Sequence, residues 1–245
     1  MDRLKSQCRA LLFDVFGTLV DWRSSVTSEL AAFFASHTEL QKHAKKVDWQ
    51  AVALDWRARY QPSMDAVRTG ERPFVILDVL HRESLAATLE QHQIDGLDDA
   101  MLDELALCWH KLDAWPEVPA ALQRLRTHYT LAAVSNGNKA LLENLAAYAN
   151  LNWHVSLGAE PARAYKPMPI VYQRSAAMLA LEPPQCMMVA AHNDDLAAAR
   201  ALGFQTAYIN RPYEYGARQT KDFGPESDWD ISVDSLSELA DIVLK

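Results

Sequence analysis

The sequence predicts a doubly wound, Rossmann-like parallel α/β sheet core carrying an inserted helical cap, and three observations predict it. Short apolar runs recur along the chain, each stopping at polar residues; helical patterns separate them; one long stretch shows helical spacing with no convincing strand. At 245 residues the chain can bury a substantial core and fold alone.

The first run, Ala10-Leu11-Leu12-Phe13, is stopped by Asp14 and Gly17, which reads as a buried strand delivering a carboxylate to a loop. Leu131 to Val134 ends at Ser135-Asn136-Gly137-Asn138, Met187 to Ala191 at His192-Asn193-Asp194-Asp195, and Thr206 to Ile209 at Asn210-Arg211-Pro212. Among the helical patterns, Pro116 is expected as a first helical residue, followed by Val118, Ala121, Leu122 and Leu125 on one face. In a parallel sheet the polar residues at the carboxyl ends of adjacent strands share one crevice, so Asp14, Ser135 and Asp195 are expected to be neighbours. From Asp21 to Trp115 the apolar residues Val26, Leu30 and Phe33, then Leu77, Leu80, Leu85 and Leu89, recur at helical spacing. The expected division is a discontinuous core of residues 1–20 and 116–245 with a cap of residues 21–115, which leaves and rejoins the sheet beside Asp14 and so covers it.

Composition removes several function classes. Half the residues, 49%, are hydrophobic and 23% charged, as in globular proteins, and a net charge of −8 opposes nucleic-acid backbones and anionic membranes. Cys8, Cys108 and Cys186 show neither metal-ligand spacing nor a disulfide framework, so a reducing cytoplasm is the expected compartment and each thiol a small buried hydrophobe. The start Met1-Asp2-Arg3-Leu4-Lys5 does not read as a signal peptide, and no run approaches a membrane span.

Asp14-Val15-Phe16-Gly17-Thr18-Leu19-Val20 resembles the first signature of the haloacid dehalogenase superfamily, whose leading aspartate is the nucleophile. Ser135-Asn136 resembles the second signature, Lys166 in Ala164-Tyr165-Lys166-Pro167 the third, and Asp195 after Val189-Ala190-Ala191 the fourth. Any one alone would be weak, since Asp14 by itself fits a turn or helix cap and a lysine before proline is usually solvated. Together they span most of the core. The chemistry agrees: a carboxylate nucleophile divides a displacement into formation and hydrolysis of an ester, provided Lys166 keeps Asp14 ionised and Thr18 and Ser135 donate hydrogen bonds.

Phosphatases of this superfamily carry a second aspartate two residues after the nucleophile as general acid, and here that position is Phe16. Their acidic pair for Mg²⁺ corresponds to Ala191 and Asp195, so one ligand is replaced; Asp194 beside Asp195 leaves a rearranged site open. The sequence through Asp21 looks closest to the type II 2-haloacid dehalogenases, which are metal-independent. That resemblance implies no cofactor, a small halocarboxylate as partner, Asp14 attacking C2 with loss of halide, and water then attacking the ester carbonyl. It implies Asp195 as the residue that handles this water, with structural pairing to Lys166 as the alternative. It implies Arg57 and Asn136 on the substrate and halide side, with Arg59 competing; Phe16 as apolar wall; and Tyr172 at the site. His192 departs from the family's usual asparagine, and either positions substrate or water or serves a structural hydrogen bond. A homodimer is also implied. The competing functions are a Mg²⁺-dependent phosphatase forming an aspartyl phosphate, and a binding protein that kept the fold without turnover.

Overall fold

The computed structural model describes residues 7–245, so the Met1–Lys5 start lies outside the described residues. Six parallel strands form one sheet: β1 Ala10–Phe13, β2 Thr130–Ser135, β3 Val155–Gly158, β4 Cys186–Ala190, β5 Gln205–Ile209 and β6 Ile231–Val233, in the order β3-β2-β1-β4-β5-β6. This is the doubly wound order, in which the chain switches direction of growth between β1 and β4. In register, Phe13 faces Ala133 of β2 on one side and Val189 of β4 on the other.

Two-sided burial explains why these strands read as unbroken apolar runs rather than alternating ones. Leu11, Phe13, Ala133, Val189 and Ala207 pack into one hydrophobic cluster, while Ala10, Leu12, Ala132, Val134, Met188 and Tyr208 pack into the other. The four runs expected from sequence are β1, β2, β4 and β5, each matched to within a residue or two. The edge strands β3 and β6 add two more; both are short and only partly buried, so neither produces a distinct apolar run.

One expectation about helix starts is corrected. Pro116 lies in a turn, and the helix is Val118–Leu125 with a proline, Pro119, in its first turn. Val118 with Ala121, Leu122 and Leu125 is buried as its periodicity requires.

Between β1 and β2 the described chain is helical. Trp22–Ser36 buries Val26, Leu30 and Phe33, and Leu77–Gln91 buries Leu77, Leu80, Leu85 and Leu89. Asp21 caps the first of these helices by accepting from Ser24 N. The segment leaves and returns side by side: Val20 bridges Ala114, Asp21 N donates to Asp113 O at 2.9 Å, and Trp115 N to Leu19 O at 3.0 Å. Both ends of the helical segment are therefore tied to the loop after Asp14.

Candidate active site

Asp14 follows the central strand β1 at the switch point, where the crevice of such a sheet opens. The residues after β2, β4 and β5 converge on it, and so does the helical segment. A small cleft of about 60 Å³ is lined by Asp14, Phe16, Arg57, Tyr60, Asn136, Lys166, His192 and Asp195, with Gln61, Pro167, Asp194, Tyr215 and Lys221 completing the wall. That is well below the roughly 300–1,000 Å³ of pockets for drug-sized ligands, and suits a molecule of a few heavy atoms.

Every oxygen of Asp14 has a donor. Oδ1 accepts from Lys166 Nζ at 2.8 Å; Oδ2 accepts from Thr18 Oγ1 at 2.7 Å and lies 3.1 Å from His192 Nδ1. Thr18 is itself oriented, because its hydroxyl oxygen accepts from Ala191 N at 2.9 Å. Burial alone would raise the Asp14 carboxyl, but Lys166 and His192 outweigh it and hold the group well below the usual carboxylate range. Asp14 is thus an ionised, oriented carboxylate.

Lys166 bridges the two acids: its ammonium also donates to Asp195 Oδ2 at 2.5 Å. Its backbone N donates to Asn136 Oδ1 at 2.7 Å, which fixes the loop that carries it. Burial opposes the lysine's charge, but Asp14 and Asp195 together raise its pKa. For Asp195, burial pushes the carboxyl up and Asp14 adds to the rise, against the pull of Lys166. A carboxyl so raised is closer to the range in which a base accepts a proton. Asp195 sits in the first turn of helix Asn193–Ala201, where the helix dipole favours a carboxylate.

Arg57 reaches the cleft from the helical segment. Its guanidinium lies 3.9 Å from the Tyr60 ring centroid and within 6 Å of the Trp22, Phe16 and Trp109 rings. Burial would lower its pKa, yet Tyr215, Tyr60 and Glu214 raise it, so the group stays charged. Among the described residues Arg57 Nη1 finds no hydrogen-bond partner, leaving a buried cationic N–H in the wall of the cleft. Arg59 points elsewhere, donating to Ala87 O and Gln91 Oε1 and lining a separate groove. Phe16 is 2% exposed and meets the edges of Tyr60 and Trp109.

Two further sequence candidates sit behind the cleft wall. Ser135 is the last residue of β2, fully buried, and its hydroxyl accepts from Gly137 N at 3.1 Å; among the described residues it makes no hydrogen bond to Asp14 and does not line the cleft. It shapes the loop that presents Asn136. Tyr172 has its ring packed in the core beside Phe204 and donates its hydroxyl to Asp195 Oδ1, so it orients Asp195 from behind rather than lining the cleft. Asn136 does line the cleft, with its side-chain oxygen accepting from the Lys166 amide.

Sequence reasoning missed Tyr60, Tyr215 and Glu214. Tyr60 lies three residues beyond Arg57, a legible signal. Glu214 had only its place shortly after the β5 run. It is 2% exposed, accepts from Trp22 Nε1 at 2.8 Å through Oε1, and lies 2.9 Å from His192 Nε2 through Oε2. His192 therefore touches both Asp14 and Glu214.

The donor set also bears on a metal. Lys166 Nζ bridges Asp14 and Asp195, Ala191 offers no ligand, and Asp194 pairs with Lys221 at 3.2 Å. Among the described residues no group of three or more His, Cys, Asp or Glu is arranged to hold a metal ion. No helix among them is long and apolar enough to cross a membrane. The cysteines are free, with Cys108 and Cys186 buried and Cys8 half-buried.

Comparison with known proteins gives this geometry a family. An (S)-2-haloacid dehalogenase 4A from Burkholderia cepacia is 29% identical, over 97% of this chain and 95% of its own. Haloacetate dehalogenase H-2 from a Moraxella species is 27% identical, over 82% and 85%. A crystal structure of a defluorinating L-2-haloacid dehalogenase superposes with a TM-score of 0.92 at 44% identity, covering 97% of this chain and 96% of that one. The model of the haloacid dehalogenase-like hydrolases matches residues 8–203, and the chain belongs to that hydrolase family.

Proposed function

We propose that this chain is a hydrolytic dehalogenase of short 2-haloalkanoic acids, converting a haloacetate or 2-halopropionate to the 2-hydroxy acid and halide through an ester on Asp14. One observation carries the reading: an ionised Asp14 shares a small cleft with the buried Arg57 guanidinium, whose Nη1 is unpaired among the described residues, and the intervening wall is Phe16 rather than an acid. Arg57 suits an anionic substrate and a departing halide. Phe16 offers no proton, and halide needs none.

In the first half-reaction one carboxylate oxygen of Asp14 forms a bond to C2 from the side opposite the halogen, and the carbon–halogen bond breaks with its electron pair on halide. Thr18 and Lys166 keep the carboxylate aimed, while Arg57, with Asn136 beside it, takes up the halide and the substrate carboxylate. In the second, water activated by Asp195 attacks the Asp14 carboxyl carbon, and the C–O bond to Asp14 breaks to release the hydroxy acid. Tyr172 and Lys166 hold Asp195 in place for that step. The arrangement also supports residues 21–115 acting as a cap over a core of residues 1–20 and 116–245, since Arg57 and Tyr60 come from that segment. The reducing cytoplasm suits the free thiols, and a homodimer completes the proposal.

Halide release from a panel of 2-haloacids, with a chelator present, tests the reading. Single turnover in ¹⁸O-water should place solvent oxygen in the Asp14 carboxylate. Chelator-sensitive phosphate release with no halide from any substrate would replace it by a phosphatase. Neither product, with no covalent adduct on Asp14, would mark a binding protein.

A further inference from the structure

Both ring nitrogens of His192 face carboxylate oxygens, Nδ1 at 3.1 Å from Asp14 Oδ2 and Nε2 at 2.9 Å from Glu214 Oε2. A neutral imidazole carries one N–H and would set a lone pair against one of those oxygens; only the imidazolium donates to both. Glu214 is held on its far side: Trp22 Nε1, which can only donate, occupies Oε1 at 2.8 Å. Its carboxylate also lies so close over Gly17 that a Cβ there would stand 2.2 Å from Oε1. Glu214 is thereby fixed from the helical segment and from the nucleophile loop, leaving Oε2 for His192.

The other charged or titratable groups around His192 include Asp194 and Asp195 on the helix it precedes, Tyr208 on β5, and the cleft cations Lys166, Arg57 and Lys221. Burial would lower the pKa of His192, but Glu214 and Asp14 raise it well above the ordinary imidazole value. The two oxygens of Asp14 are also unequal. Among the described residues Oδ1 has Lys166 alone, whereas Oδ2 accepts from Thr18 Oγ1 and lies 3.1 Å from His192 Nδ1. A hydroxyl donor and a ring nitrogen gathered at one oxygen supply the elements of an oxyanion hole.

Resting on the dehalogenase reading above, we propose that Glu214 is a positioning residue that keeps His192 doubly protonated, so that His192 Nδ1–H and Thr18 Oγ1–H form an oxyanion hole at Asp14 Oδ2 for ester hydrolysis. Oδ1 is then the oxygen alkylated at C2. Water adds to the Asp14 carboxyl carbon, losing a proton to Asp195, and the carbonyl electron pair moves onto Oδ2 between the two donors. Collapse restores the carbonyl and breaks the bond from the carboxyl carbon to Oδ1. The hydroxy acid leaves with Oδ1 and takes the proton from Asp195; the second water proton is released to solvent as Asp14 re-ionises. His192 serves the second half-reaction more than the first, because charge on Oδ2 grows only there.

Glu214→Gln tests this, since Gln can accept from Trp22 and donate to His192 Nε2. The Nδ1–H then persists on a neutral ring, and only the charge is lost. Single-turnover halide release should stay near wild type while the Asp14 ester accumulates, visible by intact mass, and steady-state kcat above neutral pH should fall roughly tenfold, recovering as the pH is lowered and His192 regains its proton. In a His192→Asn background the same Glu214→Gln change should cost nothing more. Wild-type kcat and pH profile in Glu214→Gln, or an equal loss in both backgrounds, would overturn the assignment and leave the dehalogenase reading intact; no halide from the wild-type enzyme would sink both. NMR of the unsubstituted protein gives an independent check: both His192 ring N–H protons should persist well above the ordinary imidazole pKa, and a single one there overturns the proposal.

Discussion

The guanidinium of Arg57 lies 3.9 Å from the centroid of the Tyr60 ring, and the two residues enter the cleft together from consecutive helices. The aromatic face holds the cation in place without consuming its N–H donors, which leaves Nη1 for an anion. Arg57→Ala should therefore raise KM for 2-haloacids and slow halide release, together on the order of a hundredfold in kcat/KM, about 3 kcal/mol. Arg59→Ala, at a residue bonded to Ala87 O and Gln91, should leave both constants unchanged. Steady-state kinetics of the pair decides between the two arginines, and equal effects would remove Arg57 from its role.

Lys166 is the only group in contact with both Asp14 and Asp195 among the described residues. Its replacement by methionine leaves two buried carboxylates without their shared cation, a loss of about 3–5 kcal/mol by comparison with other broken buried pairs. Turnover should vanish with it. Asp14→Asn, in contrast, leaves the Lys166–Asp195 pair whole, so it should remain folded while losing on the order of 10⁴-fold or more in rate. Denaturant unfolding beside halide release separates the two; a folded, active Asp14→Asn protein would end the nucleophile assignment.

Phe16 couples the cleft wall to the aromatic cluster. Packed edge-on against Tyr60 and Trp109, it should cost about 3–5 kcal/mol of stability when cut to alanine. Phe16→Asp should not create a phosphatase, because Ala191 still supplies no metal ligand and Asp194 remains paired with Lys221. Chemical denaturation and a phosphate-release assay with Mg²⁺ check the two statements.

The charge on His192 ties stability to pH. Its folded pKa is raised above the unfolded imidazole value of about 6.5 by Glu214 and Asp14, against burial. The contribution is then fully present below that unfolded value, declines as pH rises through it, and is gone once pH passes the folded pKa. The melting temperature should fall on the alkaline side of neutrality, and His192→Asn should flatten that fall. Asp14 has the opposite sign: its depressed pKa gives stability that is present above the ordinary carboxylate range and lost only under strong acid. An alkaline limb identical in wild type and His192→Asn would show that another group causes it.

The sequence by itself determined the sheet core and the order of its site. β1, β2, β4 and β5 are buried on both faces, so their apolar runs are visible without neighbours, and a parallel sheet gathers the polar residues at the carboxyl ends of those runs along one edge. Asp14, Thr18, Lys166 and Asp195 were legible because each is fixed to a strand end or signature. The edge strands Val155–Gly158 and Ile231–Val233 were not, since half-covered segments of that length carry too little hydrophobic signal. Tertiary structure decided the rest: that Arg57 rather than Arg59 turns inward, that Ser135 bonds its own loop, and that Tyr172 reaches Asp195 from the core. It alone decided the pairing of Glu214 with His192. That contact joins the end of β4 to the segment after β5, with Trp22 of the helical segment on the other carboxylate oxygen, and an arrangement closed by three distant pieces of chain leaves no local spacing by which to read it.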